Sequence, residues 1–92
     1  MYYVLIKNIA KKGKAEEYAE VSKRFGAQME QLPGCVRFEV IRSEQEPAMI
    51  ANLICWESRE AAQADDGSTF LAFKPELKPF FESNTTETFE VL

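Results

Sequence analysis

The sequence predicts an α+β domain of the ferredoxin-like type, a split βαβ arrangement with a four-stranded antiparallel sheet. Two observations lead to this prediction. Apolar residues alternate or run continuously in four segments, as in strands, and recur at helical spacing in the two regions between them. The resulting order is strand, helix, strand, strand, helix, strand, which is that of the split βαβ fold. Because 92 residues is a usual size for one domain, residues 1–92 are expected to form a single one.

A strand and a long helix are predicted first. Residues 2–9 are rich in β-branched and aromatic side chains, and Asn8 ends a face that is otherwise apolar. An amphipathic helix follows over about residues 14–31, and the Pro33-Gly34 pair ends it. Its apolar stripe consists of Ala15, Tyr18, Ser22, Phe25, Met29 and Leu32, with Val21 beside it.

The next two strands form a predicted hairpin. Residues 35–42 place Val36 and Phe38 on one face, opposite polar neighbours, in a half-polar alternation typical of an edge strand. Residues 43–47 are polar and predict the hairpin loop. Residues 48–57 are apolar on both faces, which predicts a central strand.

The second half of the chain predicts a broken helical region and a last strand. Ser58 is a suitable N-cap for a short helix over residues 60–65. A second helical piece follows, which Pro75 and Pro79 are expected to break. Its apolar residues are Phe70, Phe73, Leu77 and Phe80. The alternation in residues 84–92 predicts the final strand.

One face of the predicted sheet has no helix to cover it. The third strand carries Ile50, Asn52, Ile54 and Trp56 on one face and Met49, Ala51, Leu53 and Cys55 on the other, so the uncovered side is apolar at its centre. The sequence therefore predicts a homodimer in which two sheets meet face to face.

Composition excludes several classes of function. The formal net charge of −4 gives no summed attraction to nucleic acid, and no run approaches the roughly 20 apolar residues of a membrane span. With no secretory leader pattern either, we expect a cytoplasmic protein. The chain has no histidine, which excludes Ser-His and Cys-His nucleophile pairs, HExxH zinc sites and a histidine ligand for haem.

The two cysteines are too few for a disulfide scaffold. If the hairpin is centred on Gln45, Cys35 and Cys55 lie opposite each other across it. We assign both a packing role, with a redox role as the alternative.

Three polar or aromatic residues on apolar faces are candidates for a site. Asn52 lies within the apolar run AMIANLICW, on the same face as Trp56. General fold physics favours a structural interpretation, in which the Asn52 amide bonds a backbone group or water and Trp56 anchors the core. For Asn8, a solvated strand end is the structural interpretation.

Four segments together carry a resemblance to a known family. GKAEEYAE opens the first helix, LPGCVRFEV leads into the second strand, NLICWES lies on the third, and TFLAF precedes the last. Over nearly the whole chain this combination resembles the antibiotic biosynthesis monooxygenase family. The resemblance implies a dimeric α+β barrel that oxygenates quinol- or anthrone-like aromatics with dioxygen, using neither metal nor flavin. Similar proteins also include haem-degrading enzymes and signal-molecule isomerases.

The resemblance implies roles for individual residues. Asn52 and Trp56 match an Asn-x-x-x-Trp pair that lines the substrate pocket of the monooxygenases, so both are expected to be catalytic. Asn8 resembles an asparagine of the haem-degrading branch. The chain departs from the family's pattern at two places. Asp65 or Asp66 occupies the position where many relatives have a histidine, and the tyrosine expected several residues after Trp56 is absent. The missing histidine makes haem degradation a poor match.

The implied chemistry needs an oxyanion donor and an apolar pocket. The Asn52 amide would donate to the developing oxyanion, and Trp56 would pack against the substrate ring. The wall is expected to come from Phe70, Phe73 and Phe80. The residues predicted to bind substrate are Asn8, Tyr18, Phe38, Phe70 and Phe73. The proton acceptor stays open between the substrate's own acidity, Asp65 or Asp66, and Tyr18.

Two alternatives to an enzyme of this kind remain. One is a small-ligand-binding dimeric barrel that has kept the pocket without catalysis, which the missing histidine and tyrosine favour. The other is a haem-handling member with an atypical ligand. In that case added haemin would give a Soret band, and Asn8→Ala would weaken it.

Overall fold

The computed structural model describes residues 1–92 and confirms the predicted order of elements. In chain order these are β1 (Tyr2–Ala10), α1 (Ala15–Met29), β2 (Cys35–Arg42), β3 (Met49–Trp56), α2 (Arg59–Ala64), α3 (Ser68–Leu77), a 3₁₀ turn (Lys78–Phe80) and β4 (Phe81–Glu90). The second helical region therefore consists of two short helices and a turn. No helix combines the length and the apolar character needed to cross a membrane.

The four strands form one antiparallel sheet in the order β2-β3-β1-β4. β3 is central and β2 is an edge, as the sequence predicts. All three helices contribute to hydrophobic clusters with the same face of the sheet, the one that carries Ile50, Ile54 and Trp56. The fold is therefore the ferredoxin-like α+β arrangement, with helices on one face only.

The core lies between α1 and this face. One cluster consists of Ala10, Tyr18, Val21, Ile50 and Leu77, and the other of Phe25, Met29, Phe38, Ile54 and Trp56. Apart from Gly26, the buried residues of α1 all come from the predicted stripe or lie beside it, whereas Ala15 is only half-buried and Leu32 lies beyond the helix. Gly26 allows α1 to lie close to β2, because a Cβ at that position would collide with the Phe38 ring.

The predicted register of the β2–β3 hairpin is wrong. Arg37, rather than Cys35, lies opposite Cys55, and Cys35 lies opposite Trp56. A β-bulge between Cys35 and Arg37 shifts the pairing there and leaves Val36 exposed instead of on the apolar face. Cys35 and Cys55 are therefore not paired with each other across the hairpin.

The hairpin loop sets the pairing from Arg37 to Arg42, and the bulge alters it only at Cys35. The Ser43 hydroxyl accepts a hydrogen bond from the Glu46 N–H at 3.0 Å, and the Glu46 carbonyl accepts one from the Met49 N–H at 2.8 Å. The Ser43 N–H also donates to the Met49 carbonyl at 3.1 Å. These bonds centre the hairpin one residue later than Gln45.

In the second half of the chain, the predicted helix cap is confirmed and the predicted helix breaks are confirmed in part. Ser58 caps α2, since its Oγ accepts a hydrogen bond from the Ala61 N–H at 3.1 Å. Pro75 lies inside α3 without ending it, contrary to the prediction. Its missing N–H leaves unpaired only the carbonyl of Leu71, an exposed residue. Helical structure ends at the Pro79 turn, so β4 begins at Phe81, earlier than expected.

The other face of the sheet carries no helix. Tyr3 lies opposite Cys55 and Phe89, and Leu5 lies opposite Leu53, all pointing to this side. Tyr3, Leu5 and Leu53 are half-buried and Phe89 is exposed. This open face is therefore apolar at its centre, as the sequence predicts.

Candidate functional site

A cavity of about 560 Å³ is lined by residues of the helix-bearing face of the sheet and of the helices packed on it. Eleven of its seventeen lining residues are hydrophobic. Its volume lies within the range of small-molecule sites, about 300–1,000 Å³. The cavity can therefore hold a ligand the size of a fused aromatic ring system.

Strand register fixes the order of side chains along the sheet wall of the cavity. On β3, Trp56, Ile54 and Asn52 follow one another on one face, because alternate residues of a strand share a side. Asn8 of β1 lies opposite Asn84 of β4, beyond Asn52. The sheet wall thus runs from an aromatic end at Trp56 to an amide end at Asn8 and Asn84.

Asn52 is buried in the cavity wall with no partner in the chain. Its side chain is 4% exposed, and its Oδ1 accepts no hydrogen bond. Of the two structural partners expected for this amide, a backbone group or water, no backbone group bonds its Oδ1. An unsatisfied buried polar group typically costs about 1–3 kcal/mol, so the fold keeps Asn52 at a cost to stability.

Asn8 differs from Asn52 in that its amide is used by the fold. It is 1% exposed, so the interpretation as a solvated strand end is wrong. Its Nδ2 donates to the Ile50 carbonyl at 3.0 Å, and its Oδ1 accepts from Asn84 Nδ2 at 3.4 Å. Asn8 thereby ties β1 to both neighbouring strands and holds Asn84 at the end of the cavity.

Tyr18 extends from α1 into the cavity lining and is 3% exposed. Burial raises the pKa of its phenol to about 12. A base must be deprotonated, and this pKa keeps Tyr18 neutral at physiological pH. Tyr18 is thus suited to donate a hydrogen bond and unsuited to accept the substrate's proton.

The two candidate aspartates lie in different places. Asp65, half-buried, lines the cavity, and its Oδ1 accepts a hydrogen bond from the Gly67 N–H at 3.0 Å. Asp66 lies outside the cavity, and its Oδ1 accepts from the Ser68 N–H at 2.9 Å. Hydrogen bonds from the Ser68 backbone and from its hydroxyl lower the pKa of Asp66. Asp65 is therefore the aspartate within reach of a bound ligand.

The predicted aromatic wall is divided between the cavity and the core behind it. Phe70 lines the cavity and is 44% exposed, whereas Phe38, Phe73 and Phe80 do not line it. Phe25, which sequence reasoning assigned only to the helix stripe, lines the cavity instead. The Phe25 ring centroid lies 5.3 Å from that of Phe38 and 5.7 Å from that of Phe73. Phe38 and Phe73 therefore hold Phe25 in place from behind.

Three polar lining residues were missed from the sequence: Lys74, Lys78 and Asn84. Lys74 and Lys78 follow Phe70 at intervals of four residues, the spacing that places side chains on one helix face. That spacing was the available signal, but charged residues on a short helix ordinarily indicate its solvent side.

The cysteines lie outside this site. Cys35 contacts the cluster around Trp56, and Cys55 points to the open face of the sheet. Burial, followed by the nearby Glu30 carboxylate, raises the pKa of the Cys35 thiol, which disfavours the reactive thiolate. Nowhere in the chain are three His, Cys, Asp or Glu side chains grouped as ligands for a metal ion.

Comparison with known proteins gives one family and one fold. The family model described as "Antibiotic biosynthesis monooxygenase" matches residues 1–74. No protein of curated function matches the chain.

Solved structures show the same fold at low sequence identity. A proposed antibiotic biosynthesis monooxygenase from Nitrosomonas europaea superposes with a TM-score of 0.85 at 20% identity, over 100% of this chain and 99% of that one. A second from Bordetella bronchiseptica gives 0.86 at 13%, over 99% and 96%. A third from Caulobacter crescentus gives 0.83 at 21%, over 99% and 89%.

Proposed function

Because the chain belongs to the antibiotic biosynthesis monooxygenase family, we propose that it oxidises a quinol- or anthrone-like aromatic with dioxygen, without metal or flavin. The observation that carries the proposal is the Asn52 amide. It is buried, has no partner in the chain, and lines an apolar cavity together with Trp56. The unpartnered Oδ1 is an acceptor, so the donor that an oxyanion requires is the Nδ2 of the same amide, which belongs to the cavity lining.

The chain's own residues supply binding and charge stabilisation. A quinol or anthrone that loses a proton becomes an electron-rich anion that reduces dioxygen directly. The Asn52 Nδ2 donates to the oxygen on which this charge accumulates, a contribution typically worth about 3–4 kcal/mol for one preorganised donor. Trp56, Phe25 and Phe70 bound the ring and exclude water from the intermediate.

The overall reaction balances with water as the second product. An anthrone methylene loses two hydrogen atoms and gains one oxygen atom as a carbonyl, whereas a naphthoquinol loses its two hydroxyl hydrogens and gains one oxygen atom as a new ring hydroxyl. The second oxygen atom leaves with those hydrogens as water. Dioxygen receives all four electrons, so no external reductant is needed.

Asp65 is the residue we assign to accept the substrate's proton. It lines the cavity, whereas Asp66 does not and Tyr18 is held neutral by its raised pKa. The Tyr18 hydroxyl then serves as a second hydrogen-bond donor to the substrate.

The proposed enzyme is a homodimer formed through the open face of the sheet. Tyr3, Leu5 and Leu53 make this face apolar, and no helix of the chain covers it. Light scattering on the purified protein is expected to give about twice the 10.5 kDa chain mass. A mass of one chain at micromolar concentration would contradict the dimer without affecting the cavity.

Dioxygen uptake tests the proposed reaction. The purified protein is incubated with a panel of reduced naphthoquinols and anthrones, with and without a metal chelator, and uptake is compared with the autoxidation rate. We expect uptake above autoxidation, unchanged by the chelator, with one dioxygen consumed per product. Adding catalase should return no dioxygen, because a monooxygenase releases water rather than hydrogen peroxide.

Two results would overturn the proposal. Peroxide formation at one equivalent per product would indicate an oxidase. Uptake at the autoxidation rate across the panel, with calorimetric binding of the same aromatics, would indicate the ligand-binding barrel instead.

A further inference from the structure

One face of α3 carries two cations into the cavity. Phe70, Lys74 and Lys78 all line it, at intervals of four residues from α3 into the 3₁₀ turn. Residues four apart on a helix lie one above the other. The helical wall therefore changes from aromatic at Phe70 to cationic at Lys74 and Lys78.

The charge of these lysines is not neutralised within the chain. Six of the eleven basic side chains form ion pairs with a carboxylate, and neither Lys74 nor Lys78 is among them. This is notable in a chain with fifteen acidic residues and a net charge of −4. Asp65 is the one carboxylate in the cavity lining, and the Gly67 N–H already bonds one of its oxygens. The cavity thus has an excess of positive charge.

Lys78 lies toward the end of the cavity farther along the sheet from Trp56, and Lys74 is one helical turn before it. Lys78 is three residues before Phe81, where β4 begins opposite Ala10, and Asn84 lies opposite Asn8. Trp56 lies at the other end of β3, opposite Tyr2, and Asn52 lies between the two ends. A ligand whose ring contacts Trp56 and whose hydroxyl reaches Asn52 therefore extends toward the lysines.

We propose that Lys74 and Lys78 bind a carboxylate on the aromatic substrate, so that the cavity selects an aromatic acid over the neutral aromatic. The inference rests on the proposed function for the identity of the ring and concerns the same cavity. Ammonium groups in the lining of an apolar cavity attract anions and pair with carboxylates. Both lysines are exposed, so their role is to bind and select the substrate rather than to ionise it.

Calorimetry with two inert phenols tests this inference. The probes are 6-hydroxy-2-naphthoate and 2-naphthol, which differ only by the carboxylate, and titration under nitrogen prevents any oxidation. We expect the acid to bind about tenfold more tightly than the naphthol at low ionic strength, with the difference reduced at 0.5 M salt.

Variants of the two lysines test whether Lys74 and Lys78 cause the preference for the acid. Lys74→Gln and Lys78→Gln should each weaken binding of the acid by about three- to fivefold, the double variant should abolish the preference, and 2-naphthol should bind all of them equally. Lys23→Gln is the matched control. Lys23 is another exposed, unpaired lysine, but it lies on α1 outside the cavity lining, so its variant should retain the preference.

Each outcome decides the inference. Equal affinity for the two probes, a preference that survives in the double variant, or failure of both probes to bind would overturn it. A preference abolished by the double variant supports it even where no aromatic is turned over, in which case only the monooxygenase proposal fails. Turnover of neutral quinols with no preference for the acid would leave that proposal standing and refute the role of the lysines.

Discussion

Replacing Asn52 with an apolar residue is expected to make the protein more stable. The Asn52 Oδ1 is buried without a partner, which costs about 1–3 kcal/mol, and leucine has a similar shape with no polar atom to desolvate. Asn52→Leu should therefore raise the free energy of unfolding by about 1–2 kcal/mol. In a domain of this size, each 1 kcal/mol raises the Tm by about 4–8 °C.

Urea denaturation followed by tryptophan fluorescence measures this change, since Trp56 is the only tryptophan and is buried. The midpoint should rise with an unchanged m-value. Asn8→Leu is the matched control, because the Asn8 amide bonds the Ile50 carbonyl and Asn84, and its loss should cost about 1–3 kcal/mol. Destabilisation of Asn52→Leu to the same extent as Asn8→Leu would refute the reasoning, since it would mean that Asn52 is bonded in the fold.

Three further predictions concern the framework of the site. Gly26→Ala should lower stability by about 1–3 kcal/mol through its collision with Phe38, and an unchanged thermal midpoint would contradict the close approach of α1 to β2. Burial raises the pKa of Tyr18 to about 12 from 10.0, so its contribution to stability is present below pH 10 and lost as the pH approaches 12. Urea midpoints from pH 9 to 12 should therefore fall less steeply in Tyr18→Phe, and parallel curves would refute this. Ser58→Ala should cost about 1 kcal/mol by removing the α2 cap, whereas an unchanged urea midpoint would show the cap to be dispensable.

The fold was predictable because each long element has a clear period. The α1 stripe and the two-sided apolar pattern of β3 determine which faces are buried. The hairpin register was not predictable, because it depends on a bulge at Val36 and on hydrogen bonds in the loop that no periodicity reveals. Pro75 was misjudged because an exposed helix tolerates the loss of one hydrogen bond.

The residues of the candidate site that lie on a strand could be predicted from the sequence. Alternation along β3 placed Asn52 and Trp56 on one face, and both line the cavity. Lys74 was missed because charged residues on a short helix are usually solvated. The burial of Asn8 depends on Asn84, seventy-six residues later, a long-range contact that local pattern does not reveal.

The central claim is that the free Asn52 amide stabilises the oxyanion of a dioxygen reaction. Its most direct test is the dioxygen-uptake rate of Asn52→Ala on the best substrate of the panel. The rate should fall by roughly 100-fold or more while the affinity for 2-naphthol changes little. Ser22→Ala, which removes another buried polar group without a partner but outside the cavity lining, should keep the wild-type rate. Wild-type uptake by Asn52→Ala would contradict the account.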